Sequence, residues 1–330
     1  MKNVCIVGYG AIGPVHAKAL ENVKAAKLYA VCDIDSKRAQ LCQKQYGAKI
    51  YSDFEDVLKC KDIDAVHICT PHYLHFDMIC RAIEYKKDVV AEKPVTMTRE
   101  QFDSLLNISG SEKVCLVLQN RLNPCIQKLK NITENKELGE IKAIKGIVTW
   151  HRTKEYYQSA SWRGRWDTEG GGVLINQAVH TLDLLVYLAG DIDCLKANMF
   201  NYSLENEIET EDTFTAYLSF KSGVKGLFFA TNAYPVNTAP EIEIVYEKGI
   251  AKYSYGKLTI DGVIVAEDMK PDIGKDYWGT GHSGLLKNYY DQNFFFSPYN
   301  AKNTMYTLFA MYESAKTGGK NIKTDGGLLI

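Results

Sequence analysis

The residues in this chain whose types and spacing could do chemistry are a glycine turn, an acid, a lysine and a polar stripe. Gly8-Tyr9-Gly10-Ala11-Ile12-Gly13 stands between an apolar run and a helical pattern, and Asp33 closes the next apolar run twenty residues after Gly13. Glycines at this spacing allow a tight turn, close approach of backbone to a pyrophosphate and tight packing of helix on sheet, while a helix N-terminus offers N–H groups to phosphate. A carboxylate ending the second strand takes both hydroxyls of a ribose and repels a 2′-phosphate. Strand, glycines, helix, strand and acid in that order point to a dinucleotide, with Gly8, Gly10, Ala11, Ile12 and Gly13 at the phosphates and Asp33 at the ribose. NAD is expected before NADP, although Lys37 and Arg38 lie close enough to leave a 2′-phosphate open. The plain alternative is a glycine turn with no ligand.

Lys93 follows the apolar run Asp88 to Ala91, at the carboxyl end of a strand, where open α/β sheets bind ligands. A lysine in such a place can carry a proton, whereas in an ordinary loop it is a solvated surface charge. The pattern from Val173 to Leu188 is apolar nearly all round and should be buried. Within it Asn176, His180, Asp183 and Tyr187 recur at steps of four, three and four, on one stripe. Burying polar groups without partners costs about 2 to 7 kcal/mol by transfer estimates. The stripe therefore needs a polar body against it, either a substrate or a hydrogen-bonded line to the other domain; Asp183 reads as the residue that orients His180 or a backbone group.

The elements that must position these groups fall into two halves. Up to about residue 120, short apolar runs (Val4 to Gly8, Lys27 to Asp33, Ala65 to Thr70, Asp88 to Ala91, Val114 to Gln119) alternate with helical patterns, the signature of a parallel sheet with crossover helices. After Pro124 come one helix, a long polar-aromatic stretch, three glycines, the apolar helix and then a series of strands: Glu211 to Phe220, Val224 to Thr231, Glu241 to Glu247 and Ala251 to Ile260. Lys221-Ser222-Gly223 is a hairpin signal. The expected fold is an α/β Rossmann domain with a doubly wound parallel sheet, residues 1–122, followed by an α+β domain with an open, mostly antiparallel sheet, residues 123–330. A late helix at about 300–318 is expected to pack back near the first domain.

Composition narrows the partners. There are 39 basic and 40 acidic side chains, for a net charge of −1, so a charge-steered nucleic-acid or membrane partner is not expected. Nine scattered cysteines without a C-x-x-C pair read as reduced thiols, and no run is long enough to span a membrane; the expected compartment is the cytoplasm. His72 and His75 form H-x-x-H with no third ligand nearby, so no metal is expected.

Three motifs then resemble one family. Thr70-Pro71-His72-Tyr73-Leu74-His75 with Ala91-Glu92-Lys93-Pro94, the stretch Gly170 to Asp183, and the late Gly281-His282 and Tyr312 to Gly318 are similar to the Gfo/Idh/MocA oxidoreductases, the glucose-fructose oxidoreductase and inositol dehydrogenase family. The resemblance covers essentially the whole chain. It implies a nicotinamide bound where two domains meet, with Thr70, Pro71 and His75 lining the cofactor, Glu92 on the nicotinamide side, Lys93 at the reacting carbon and a cis bond before Pro94. Many members carry Asp four residues before the histidine; here Asn176 stands there. An amide holds a hydroxyl but relays no proton, so Lys93 and His180 become the acid/base candidates, with Asn176 beside them.

His151, Tyr157, Trp162 and Arg163 lie in a segment of aromatic and guanidinium groups that would stack on a sugar ring and fork a carboxylate or phosphate, or else form an arm against a neighbouring subunit. Asn120 and Arg121, at the junction of the halves, join them as candidate substrate residues. The expected activity is NAD-dependent transfer of hydride between nicotinamide and a carbinol carbon of a sugar, sugar acid or polyol. Two alternatives stand beside it: redox-neutral chemistry with tightly bound NAD, and an NAD-binding sensor without catalysis. Large apolar groups on both sides of Val224 to Ala230 predict a homodimer or homotetramer through the antiparallel sheet.

Overall fold

The computed structural model describes residues 1–271, 273–275 and 279–325. Its first half follows the alternation of the sequence: β1 (Lys2–Val7), α1 (Gly13–Leu20), β2 (Ala26–Cys32), α2 (Ser36–Tyr46), β3 (Lys49–Tyr51), α3 (Phe54–Lys59), β4 (Ala65–Ile68), α4 (His75–Glu84), β5 (Asp88–Ala91), α5 (Arg99–Leu106) and β6 (Cys115–Leu116). The strands form one sheet in the order β3-β2-β1-β4-β5-β6, all neighbours parallel. Cys5, Ile6, Ala65, Val66 and Ile68 are fully buried, because helices cover both faces; this is why the strands read as continuous apolar runs. Asp35 caps α2 by accepting from Lys37 N, and Gly47 ends it in the left-handed region. Only the short β3 and α3 were not expected.

The chain continues through α6 (Pro124–Glu134), β7 (Ile141–Thr149), α7 (Lys154–Gln158), a five-residue π turn (Leu174–Ala178), α8 (Val179–Ala189), β8 (Ile192–Phe200), β9 (Thr213–Phe220), β10 (Lys225–Thr231), β11 (Glu241–Tyr246), β12 (Gly249–Ser254), β13 (Lys257–Ile260) and β14 (Val263–Glu267). Then come α9 (Gly281–Gln292), α10 (Lys302–Lys316) and β15 (Ile322–Lys323). The second sheet runs β14-β13-β12-β11-β7-β10-β9-β8-β15, antiparallel except where β10 lies beside β7. Its core face is covered by α8 on β7 and α10 on β8. The strand readings change at four places. Ala251 to Ile260 is not one strand but β12 and β13, folded back at Tyr255 and Gly256, both with positive φ, the two-residue hairpin turn that matches strand twist. Residues 192–200, 263–267 and 322–323 also form strands that were not expected; in the first, a register shift between Ile192 and Cys194 breaks the alternation.

The chain divides into two compact units, residues 1–119 with 271–301, and 120–270 with 302–330. This differs from the expected boundary. The segment that returns to the first unit contains α9, which packs on α1, while α10 packs on β8 of the second. Asp291 at the end of α9 accepts from Lys24 N and Ala25 N, and Phe296 O accepts from Leu116 N, extending the sheet edge. Both late helices are amphipathic, and periodicity reveals which face is buried but not which surface covers it.

Candidate active site

The glycine turn opens the first unit's candidate cofactor site. Gly8 has φ +89°, and a Cβ there would stand 2.7 Å from Cys69 O; one on Gly13 would stand 2.7 Å from Gly8 O. These two glycines are required by the protein's own packing. At Gly10 the nearest neighbour of such a Cβ is Arg38 Nη1 at 3.8 Å, so backbone is laid open beside a guanidinium, as a pyrophosphate requires. Asp33, at the end of β2, is 8% exposed. Its oxygens accept from Tyr9 N at 2.6 Å and Asp35 N at 2.8 Å, and a carboxylate accepting one bond per oxygen has lone pairs left for ribose hydroxyls. The residues present therefore fit NAD.

A buried polar chain lies behind the loop that carries Lys93. Glu92 follows β5 and is 6% exposed. Its Oε1 stands 3.0 Å from His16 Nε2 on α1 and 3.5 Å from His282 Nε2 on α9. His16 Nδ1 lies 3.0 Å from His67 Nδ1 on β4, and His67 Nε2 lies 2.8 Å from Tyr290 Oη on α9. A carboxylate only accepts, so with both rings neutral one order of protons serves the chain: Tyr290 donates to His67, His67 to His16 and His16 to Glu92. Burial opposes ionisation of Glu92, yet the hydrogen bonds from His16 and His282 hold its carboxyl well below its ordinary value. Burial and the neighbouring His16 push His67 well down, which agrees with a neutral ring. His16, Glu92 and His282 also form the one group of described residues whose ligand atoms lie close enough together to take a metal ion; the 3.0 Å contact of His16 with Glu92 is hydrogen-bond geometry.

Lys93 is half-buried and its bond to Pro94 is cis. His75 is 1% exposed, with Nδ1 2.8 Å from Pro94 O and Nε2 2.8 Å from Thr70 O. It braces the loop after β4 against the loop after β5, and burial lowers its pKa although both carbonyls favour protonation. Thr70 and Pro71 are half-buried at the end of β4.

In the second unit, the expected continuous helix opens instead with the π turn that contains Asn176; such turns recur at functional sites. Gly172 precedes it because a Cβ there would meet Glu211 O at 1.9 Å. Glu211, also buried, accepts from Gly172 N, Leu174 N and Tyr312 Oη. Burial pushes its carboxyl up to about 7 against those bonds. Asn176 and His180 are half-buried, and Asn176 Nδ2 donates to the fully buried Glu169. Asp183 leaves the stripe: it is 2% exposed and receives Arg121 Nε at 2.8 Å and Nη2 at 2.6 Å, with Thr304 Oγ1 at 2.7 Å. It orients neither His180 nor a backbone group in these contacts.

That pairing also removes Arg121, which is 5% exposed, from the surface that a substrate would need. Tyr157 is buried with Leu204 and Ile208, and its hydroxyl accepts from Asn232 Nδ2; the aromatic segment thus anchors itself in its own unit at that point. His151 is exposed and lies 3.0 Å from Tyr234 O. Asn120, Trp162 and Arg163 are half-buried, and the Arg163 guanidinium stacks on both Trp162 and Tyr156. Five functional candidates escaped sequence reasoning: His16, His67, Tyr290, Glu169 and Glu211. A histidine within the apolar run Ala65 to Ile68 was the one visible signal.

Two outcomes test this geometry. Asp183→Ala leaves Arg121 charged and buried, and should lower unfolding free energy by about 3 to 5 kcal/mol in urea titration. For Glu211 the folded state keeps a proton that the unfolded chain releases near 4.5, so its contribution is present below about 4.5 and lost as pH rises through about 7. Glu211→Gln stays neutral, so thermal melts should move in the variant's favour between pH 5 and pH 8; parallel curves would show that Glu211 titrates alike in both states.

Comparison with known proteins bears on the fold and the cofactor. Residues 2–119 match the oxidoreductase family, NAD-binding Rossmann fold, of the Gfo/Idh/MocA group, and residues 126–252 match the GFO/IDH/MocA C-terminal domain. Similar proteins include scyllo-inositol 2-dehydrogenase (NAD(+)) of Bacillus subtilis, 28% identical over 74% of this chain and 71% of that protein. Myo-inositol 2-dehydrogenase of Thermotoga maritima is 24% identical over 82% of this chain and 80% of its own. Among solved structures, the WlbA dehydrogenase of Chromobacterium violaceum, in complex with NADH and UDP-GlcNAcA, superposes with TM-score 0.86 at 29% identity, covering 98% of this chain and 95% of that one. With both domains matched in order, the chain belongs to the Gfo/Idh/MocA family of NAD-binding oxidoreductases.

Proposed function

We propose that this protein oxidises a carbinol carbon of a sugar, sugar acid or polyol, with Lys93 as the principal acid/base. The observation that carries the reading is Lys93 itself: half-buried after β5, next to the buried anion Glu92 and before a cis proline, in the unit that bears the NAD loop. NAD supplies the hydride acceptor when bound. Lys93 as free amine takes the hydroxyl proton during oxidation, and as ammonium returns a proton in reduction. His180 is the alternative proton carrier. Asn176, whose amide nitrogen donates to Glu169, is the amide placed one turn before His180 to hold a substrate hydroxyl. The inositol dehydrogenases and the UDP-GlcNAcA complex among similar proteins support a polyhydroxylated substrate.

Purified protein incubated with NAD and a panel of inositols, aldoses, uronates and nucleotide sugars should form NADH with at least one of them. Lys93→Met should cut turnover on that compound by about 100-fold or more, with little change in NAD affinity by fluorescence titration. Near-normal turnover would remove Lys93 from the chemistry, and selective loss of NAD binding would make it a cofactor residue.

We also propose that the outer face of the second sheet joins copies of this chain. Leu227 and Tyr217, cross-strand partners, are 48% and 56% exposed, and Phe229 is half-buried on the same face. Apolar groups set side by side on an open sheet are characteristic of interfaces. Light scattering at micromolar concentration should give a dimer or tetramer; a monomer would refute this.

A further inference from the structure

We infer that His16 and His282 are positioning residues that keep Glu92 ionised beside Lys93, with His67 and Tyr290 fixing the tautomer that makes this possible. The inference rests on Lys93 being the acid/base. A buried carboxylate without donors takes a proton instead of a charge. Glu92 has a donor at each oxygen, His16 at Oε1 and the Lys93 backbone N–H at Oε2, 3.2 Å away, and His282 Nε2 stands 3.5 Å from Oε1. His16 can donate through Nε2 while neutral only if its Nδ1 accepts, and His67 supplies that proton; His67 in turn accepts from Tyr290. These residues come from α1, β4 and α9, so the chain of donors closes only because α9 returns to the first unit.

The other titratable groups around Glu92 narrow what its charge can do. Burial first, and the Glu92 charge second, push the Cys69 thiol well up, so it stays protonated. His75 is lowered by burial and held between two carbonyls. His282 is lowered by burial although Glu92 favours its charged form. The Lys93 ammonium, close enough to disfavour charge on both His75 and His282, is a cation that the adjacent Glu92 anion would balance alongside His16. An anion there opposes the two influences that depress a lysine beside NAD, desolvation and the positive nicotinamide, and so places its titration in the working range. Removing the donors should protonate Glu92, withdraw that support and make Lys93 a weaker base.

The test is the pH profile of kcat/KM for oxidation of the panel compound that turns over, in the full-length protein. The rate rises with pH as Lys93 loses its proton, so a weaker base moves the rising limb to lower pH. Glu92→Gln and His16→Leu should move it by about one pH unit or more, and Tyr290→Phe, at the outer end of the chain, should move it the same way by less. His16→Gln, which retains an N–H donor, should restore the limb toward its original position. A thermal melting midpoint within about 5 °C of wild type identifies variants whose fold is intact. An unmoved limb in folded Glu92→Gln and Tyr290→Phe overturns the inference, while the acid/base reading of Lys93 survives if Lys93→Met is inactive. An active Lys93→Met overturns both.

Discussion

A carboxylate taken out of water must be met by donors at every oxygen or lose its charge, and that constraint organises the first unit around Glu92. The glycine turn exists to bring α1 down onto the sheet; α1 in turn delivers His16 to Glu92. The histidine embedded in β4 makes sense only as the next link, since an unpartnered imidazole in a fully buried strand would be costly. The late helix α9 completes the chain from more than 180 residues away in sequence with His282 and Tyr290. Lys93, the residue beside this anion, is thereby set on a rigid support made from four different elements.

The second unit meets the same problem at three acids around the π turn and α8, and again at the fully buried Asp212, which accepts from Tyr202 N, Ser203 N and Thr213 Oγ1. Asp183 is met by Arg121 and Thr304, Glu169 by Asn176 and the backbone of Gly164, and Glu211 by two backbone N–H groups and Tyr312. Only the first has a cation as partner in these contacts, and Glu211 is correspondingly the group whose proton affinity is raised to about 7. Together they fix the π turn and the start of α8, which is where the half-buried Asn176 and His180 are presented. The missing carboxylate at position 176 is compensated in this sense: a buried acid stands directly behind the amide and orients it.

What the sequence alone determined is local and periodic. Continuous apolar runs identified the parallel strands, because burial on both faces removes alternation. The glycine spacing with Asp33 identified the dinucleotide loop, because that turn can be built in few other ways. The resemblance around Lys93 and Gly172 led to the family that the comparisons show. Only the tertiary structure decided which long-range partner each polar group has. The stripe of Asn176, His180 and Asp183 was legible as a stripe, but angular position on a helix carries no record of Arg121, so Asp183 and Arg121 were each assigned to other work. Tyr157 likewise looked like a sugar platform until Leu204, Ile208 and Asn232 enclosed it. The partition of the two late helices was hidden for the same reason: hydrophobic period is a property of one segment, whereas a hydrogen bond between residues 16 and 92, or between 67 and 290, exists only once the chain has folded.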